Sequence, residues 1–319
     1  MDNITVPIYL ISGFLESGKT SFLRFTLNQD YFFIEGKTLL ILCEQGEEEY
    51  NMKSLSRSNT VVEIIEKEED LTPERLATLD IIHKPERVVI EYNGMWLVSK
   101  FEQMEMPRGW GIEQEITVAD ASTYQTYIGN NNLKSIFMDM VRNADMVIFN
   151  RARKEDPLPQ FRRGIKVANP ACEVIFENED GEMSDIFEDQ LPFDLDAPIV
   201  EILPEDYGIW YVDAMDNPGK YRKKKLRFKA RVMKPRGVGN SFFVPGRTAM
   251  TCCAEDTSFL GFLCSSKDTP SLKNGEWVEV TAEARIERRP EYQNEEGVVL
   301  YAASVEPCEP LKDEMVYFN

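Results

Sequence analysis

Histidine is nearly missing from this sequence: His83 is the only one in 319 residues. A metal centre built on several imidazoles is therefore excluded. Long apolar runs are missing too. No stretch of about 18 apolar residues occurs, and a membrane-spanning helix needs one. Basic residues are scarce beside acidic ones, 36 against 55, for a net charge of −19. Such a surface repels nucleic acid and anionic lipid in general, although a local basic patch can override it. Cysteine is sparse, six residues scattered except for Cys252–Cys253. The opening segment MDNITVPIYL carries neither a basic n-region nor a cleavage site. No secretory signal and no membrane insertion are therefore expected, and the cytoplasm is the expected compartment. There, free thiols or a metal site are expected before disulfides.

What is present describes a globular chain, 43% apolar and 29% charged, long enough for two domains. In the first half, near-continuous apolar runs at 8–12, 38–42, 87–91, 116–119, 145–149 and 173–176 read as strands buried on both faces. Amphipathic stretches at 19–28, 73–80 and 133–143 read as helices. Alternation of the two predicts an α/β domain with a mostly parallel, doubly wound sheet. Near Asn178 the composition becomes acidic and then proline-bearing (NEDGEMSDIFEDQLPFDLDAP). Beyond it no helical period is visible. The segment 226–232 alternates as a half-buried strand does, and 241–244, 248–253, 260–264, 277–285 and 298–305 follow at short spacing. These predict a small all-β barrel, with the OB type leading. The expected division is a nucleotide-binding domain over 1–180, a linker over 181–205 and a barrel over 206–319.

Gly13-Phe-Leu-Glu-Ser-Gly18-Lys19-Thr20 follows the first strand and opens the first helix. Glycines at both ends let the backbone curl so that amide N–H groups face phosphate oxygens, and the new helix adds its positive end. Lys19 reaches the β- and γ-phosphates and the Thr20 hydroxyl holds Mg²⁺. The expected binding set is Gly13, Glu16, Ser17, Gly18, Lys19, Thr20 and Ser21, a P-loop of the NTPase type. Ligands of open parallel sheets lie at the carboxyl ends of strands. Glu91, Gly94 and Asn150 stand at such ends. Glu91 would hold Mg²⁺ or orient the attacking water, or simply cap a turn. Gly94 would meet the γ-phosphate, and Asn150 would touch the base. Asp120 has a turn-forming and a functional reading.

The ordered series VPIYLISGFLESGKTSFL, VVIEYNGMW, ITVADASTY, NADMVIFNRAR and ANPACEVIFE resembles the CobW-type P-loop GTPases, a group of nucleotide-dependent metal chaperones. That resemblance implies GTP and Mg²⁺ as ligands, with Lys19 and Glu91 catalytic. Two departures stand out. Where the family's guanine motif ends in aspartate, this chain has Arg153, which cannot accept a hydrogen bond. Where the family carries a Cys-x-Cys-Cys metal site, 61–70 reads VVEIIEKEED, most simply a solvated acidic helix start. Glu44, Gly46 and Glu47 match the family's switch segment; Cys43 beside them is either a metal ligand or a buried filler.

The segment 204–307 resembles a small OB-like domain that also occurs attached to permease-like proteins. Cys252, Cys253 and Cys264 form its candidate zinc set; the alternative is small apolar residues filling a narrow interior. A basic run from Lys220 to Arg236 is either a wet sheet face or an acid-docking strip. Nucleic acid is not the expected partner. Trp210, Tyr211 and Trp277 read as packing, and His83 as a surface residue entering a strand. The functional expectation is slow Mg-dependent triphosphate hydrolysis, with GTP leading. It would drive a metal-homeostasis switch toward a metal-receiving client protein, with a homodimer as a further possibility. The other reading is a nucleotide-binding regulatory module that hydrolyses nothing and acts through the barrel.

Overall fold

The computed structural model describes residues 4–44, 50, 55, 58–183, 191–250, 257–292 and 294–316. Two compact units emerge: Met1–Leu158 with Ala168–Ile186, and Pro159–Val167 with Phe187–Asn319. No described helix is long and apolar enough to cross a membrane.

The first unit is the mostly parallel α/β fold that the alternation predicts. Its strands are β1 (Val6–Ser12), β2 (Thr38–Leu42), β3 (Thr60–Ile64), β4 (Arg87–Glu91), β5 (Trp110–Asp120), β6 (Met146–Asn150), β7 (Glu173–Asn178) and β8 (Gly181–Glu182). They lie in the order β3-β2-β4-β1-β5-β6-β7-β8. Pairings from β2–β3 to β6–β7 are parallel, and the β7–β8 hairpin is antiparallel. Every residue of β4 is buried, and so are four of the five in β2. Helices cover both faces of such a sheet, which is why the strands read as unbroken apolar runs. This order places β1 between β4 and β5, so the loop after β1 opens between the ends of those strands.

Local chemistry sets the helix boundaries. α1 (Lys19–Leu27) starts directly after Gly18. α2 (Pro73–His83) starts where the Thr72 side chain accepts from Arg75 N at 3.2 Å, with proline in the first turn, and ends at Lys84 in the left-handed region. α3 (Val98–Glu102) follows β4. α4 (Ala121–Ile128) is capped by Asp120, and α5 (Asn131–Val141) by Asn130.

Two expectations change here. Residues 60–64 form an edge strand, not an acidic helix start. Val61 and Val62 pair with β2, while Glu63 turns outward to Arg75 and His83. The acidic stretch supplies only a short 3₁₀ turn, Glu68–Asp70. His83 ends α2 rather than entering a strand, with its ring 2.7 Å from Glu63 Oε1.

The second unit is built on strands β9 (Val200–Glu201), β10 (Lys225–Met233), β11 (Phe242–Met250), β12 (Thr257–Gly261), β13 (Cys264–Ser265), β14 (Trp277–Arg288), β15 (Glu296–Pro307) and β16 (Met315–Val316). A ring closes through β10, β11, β13, β15, β14 and back to β10. Within it β13 and β15 run parallel and the other pairs antiparallel. Ala230, Ala249, Ala282 and Ala284 are wholly buried, small residues suited to a narrow interior. β10 alternates exposure as 226–232 predicts. The pieces expected at 241–244 and 248–253 are one strand over their described part. Pro245 stays in register opposite Val232.

A helix also stands where no helical period is visible. α7 (Tyr207–Asp216) buries Tyr207, Gly208, Trp210, Val212 and Ala214. Apolar on most sides, it shows little amphipathic contrast. α6 (Leu158–Ala168) places Arg162 and Lys166, one turn apart, on Asp216 at the end of α7. The basic run is interleaved with acids: Lys220 meets Asp213, Lys224 meets Asp196, Arg227 meets Glu201, and Lys225 and Lys229 face Glu283 and Glu279 across the strand pair.

Candidate functional site

Between the ends of β4 and β5 the chain from Gly13 to Thr20 curls on itself. Gly13 adopts φ 138° and lies against β5; a Cβ there would stand 2.1 Å from Val118 O. Gly94 closes the loop from the other side, where a Cβ would meet Gly13 O at 2.5 Å and Phe14 Cα at 2.7 Å. Side chains are thus excluded at both positions by backbone contact, and the 91–94 turn packs directly on the loop. Glu16 holds φ 60°. Glycine adopts that conformation at little cost, so the loop keeps its shape at the place where the resembling family has glycine.

Lys19, only 3% exposed, folds back across the loop. Its ammonium donates to Gly13 O at 2.8 Å, Phe14 O at 3.0 Å and Glu44 Oε2 at 2.7 Å. One residue on, the Thr20 hydroxyl donates to Glu91 Oε1 at 2.7 Å. Tyr50 donates to the second oxygen of Glu91. Burial pushes the Glu91 carboxyl up, against the pull of the Tyr50 and Thr20 hydrogen bonds and the Lys19 charge. Cys43, fully buried beside this carboxylate, has its thiol pushed up to about 12 by burial and then by Glu91 and Glu44. It is a protonated filler at neutral pH.

On the other side, Asn150 ends β6 and its amide donates to Ser17 O. Arg151 bridges Glu16 O, at 3.1 Å, and the Asp120 carboxylate. Asp120 also accepts from Ser122 N at 2.9 Å, so both of its oxygens serve the fold. The Arg153 backbone N–H donates to Asp156 Oδ2 at 2.8 Å.

The residues present fit a nucleotide. Ser17 Oγ and Asn150 Oδ1 are buried, with no hydrogen-bond partner for either among the described residues. Buried polar atoms ordinarily have partners. Both residues border the loop: a Cβ built at Gly13 would stand 2.7 Å from Ser17 Oγ, and one at Gly18 2.2 Å from the Asn150 amide nitrogen. Thr20 and Glu91 give adjacent hard oxygens of the kind Mg²⁺ takes.

The residues expected around the phosphates lie together, Gly13, Glu16, Ser17, Gly18, Lys19, Thr20, Glu91 and Gly94, with Asn150, the residue expected at the base, on Ser17 O and Ser21 exposed on the first turn of α1. Tyr50 has no sequence signal; only the tertiary fold brings it to Glu91. Of the candidate zinc set, Cys252 and Cys253 lie outside the described residues. Cys264 is wholly buried in the barrel, its thiol pushed up to about 12 by burial. Among the described residues no group of three or more His, Cys, Asp or Glu could hold a metal ion.

Residues 182–318 match the DUF1980 C-terminal domain. Among solved structures, Zn(II)-bound YjiA GTPase from E. coli is 16% identical, covering 82% of this chain and 89% of its own, with a TM-score of 0.43. Hydrogenase maturation factor HypB from Archaeoglobus fulgidus is 14% identical, covering 55% and 82%, with a TM-score of 0.38. The mitochondrial single-stranded DNA binding protein Rim1 from S. cerevisiae is 12% identical over 27% of this chain and 94% of its own, with a TM-score of 0.18. No curated protein matches. Residues 7–175, which contain all the residues just described around the glycine loop, match the CobW/HypB/UreG nucleotide-binding domain, and the chain belongs to that family.

Proposed function

We propose that the first unit binds a nucleoside triphosphate with Mg²⁺, GTP leading, and hydrolyses it slowly to run a metal-chaperone switch. The observation that carries this reading is the buried Lys19 ammonium, folded over the glycine cradle beside the Thr20–Glu91 pair. Lys19 would neutralise the β- and γ-phosphates, and amide N–H groups of the loop would donate to their oxygens. Thr20 and Glu91 would hold Mg²⁺, which supplies further neutralisation of phosphate charge when bound. Asn150 would contact the base through its buried orphan oxygen. Turnover is expected to be slow, because a P-loop site hydrolyses poorly without an arginine on the transferring phosphate. Arg151 is already committed to Asp120 and Glu16 O.

The metal-chaperone part rests on family membership, with a metal-receiving client as the expected partner. A second reading, a non-hydrolysing nucleotide-binding regulatory module acting through the barrel, draws on Arg153 in place of a guanine-accepting aspartate. Phosphate release from GTP and ATP, measured against Lys19→Ala, separates the two. Release above the variant supports hydrolysis. Nucleotide binding without release moves the assignment to the second reading, and absence of binding ends both.

A further inference from the structure

The Lys19 ammonium has three protons to donate, and three protein acceptors take them: Gly13 O, Phe14 O and Glu44 Oε2. The first two are main-chain carbonyls of a loop pressed between Val118 and Gly94. They cannot leave without collapse of the cradle. The third is a side-chain carboxylate that can rotate away. It is nonetheless firmly placed. Cys43 N donates to Glu91 O at 2.9 Å and Asn93 Nδ2 donates to Cys43 O at 3.2 Å, so the backbone just before Glu44 is tied to the end of β4. The Lys19–Glu44 pair is also sheltered, with side chains 3% and 12% exposed. An ion pair in such surroundings is weakly screened.

We propose that Glu44 is a specificity-determining residue that stands in the place of the γ-phosphate on Lys19, setting the balance between diphosphate and triphosphate at this site. This rests on the reading of the cradle as a nucleotide site. A phosphate oxygen that is to reach Lys19 must take the one exchangeable position, and two anions cannot share it without repulsion. A diphosphate brings one phosphate to Lys19 and a triphosphate brings two, so the repulsion from Glu44 is larger for the triphosphate. A triphosphate must expel the carboxylate. Glu44 therefore disfavours the triphosphate selectively, and its expulsion is the first event by which the chain after β2 registers a γ-phosphate.

Titration calorimetry on the full chain tests this, with GDP and the non-hydrolysable β,γ-imido analogue of GTP, with Mg²⁺ and with EDTA. Glu44→Gln keeps size and hydrogen bonding but removes the charge; Glu44→Ala removes both. Both variants are expected to bind the imido triphosphate about tenfold tighter, since like-charge juxtaposition is costly, while GDP affinity changes less than about twofold. An unchanged ratio between the two ligands overturns the proposal. So does weaker triphosphate binding, which would make Glu44 part of the ligand's own shell. In either case GDP still binds the wild type and the nucleotide reading survives. Failure of both ligands on wild type and variants would remove that reading and this one together.

Discussion

The Thr20 hydroxyl and the Glu91 carboxylate meet at 2.7 Å, joining the first turn of α1 to the end of β4. Ile11 pairs with Glu91 in the sheet, so the strand that launches the phosphate loop also fixes the height of this carboxylate. The pair therefore belongs to the framework and, in the proposed reading, to Mg²⁺ binding at once. Thr20→Ala leaves Glu91 buried with one donor fewer. It is expected to lower stability by about 1–2 kcal/mol and to abolish the strengthening of nucleotide binding by Mg²⁺. Thermal melts without ligand and affinities measured with and without Mg²⁺ check the two effects separately. Thr20→Ser should restore both.

A buried carboxyl on β5 gives the first unit a pH dependence. Glu115 is 8% exposed, and burial first, then Glu102 of α3, Asp145 before β6 and Asp139 of α5, push it up to about 8. Its usual value is 4.5. A raised carboxyl binds its proton in the folded state over a range where the unfolded chain has lost it. This stabilising contribution is thus full below 4.5, declines between 4.5 and about 8, and is gone above. Glu115→Gln removes the slope. Melts at acidic, neutral and mildly alkaline pH should show the variant close to wild type at pH ~5 and more stable by on the order of 2 kcal/mol at pH ~8.5. Equal offsets at every pH would place the effect in packing instead.

Much of this site is legible in the sequence because its chemistry is contiguous. The stretch from Gly13 to Thr20 carries its own turn, donors and cation, and its flanks announce a strand and a helix. β2 and β4 fall on the expected 38–42 and 87–91 because strands buried on both faces have no polar interruption to blur them. β3 was hidden as an edge strand: Thr60–Ile64 is half-buried and runs into an acidic stretch that looks solvated. α7 was hidden for the opposite reason, being apolar nearly all round. Within β11, Pro245-Gly246 reads as a break, yet the strand continues through it. The contacts of Tyr50 with Glu91 and Glu44 with Lys19 leave no local trace, since each joins segments far apart in the chain.

Base recognition should be loose. Guanine differs from hypoxanthine by its exocyclic amine, a donor that needs an acceptor. Arg153 offers none. Asp120 is held by Ser122 and Arg151, and Asp156 accepts from Arg153 N. GTP and ITP should therefore compete within about threefold of each other, and Arg153→Asp should favour GTP by at least about tenfold, because a site that pairs a polar group rejects the analogue lacking it. Strong GTP preference in the wild type would mean that another acceptor reads the amine.

In the barrel unit, stability should hinge on Arg247, which is 2% exposed and has no carboxylate within ion-pair reach among the described residues. Its guanidinium donates to Pro204 O, and to Asp313 O and Met315 O at 3.0 Å each. Met315 O lies in β16 and Asp313 O just before it, and β16 otherwise pairs with β11 over only two residues, Thr248↔Met315 and Ala249↔Val316. Burial lowers the pKa of the guanidinium but leaves it charged, so the carbonyls accept charge-assisted hydrogen bonds. Arg247→Met fills similar space without donors. It strands three carbonyls, and at about 1 kcal/mol or more for each it should cost roughly 3 kcal/mol. Limited proteolysis should then trim the C-terminal strand before the rest of the unit, and a melt should show the loss. Retention of both the melting point and the protease resistance would show that β16 is held by its strand pairing alone.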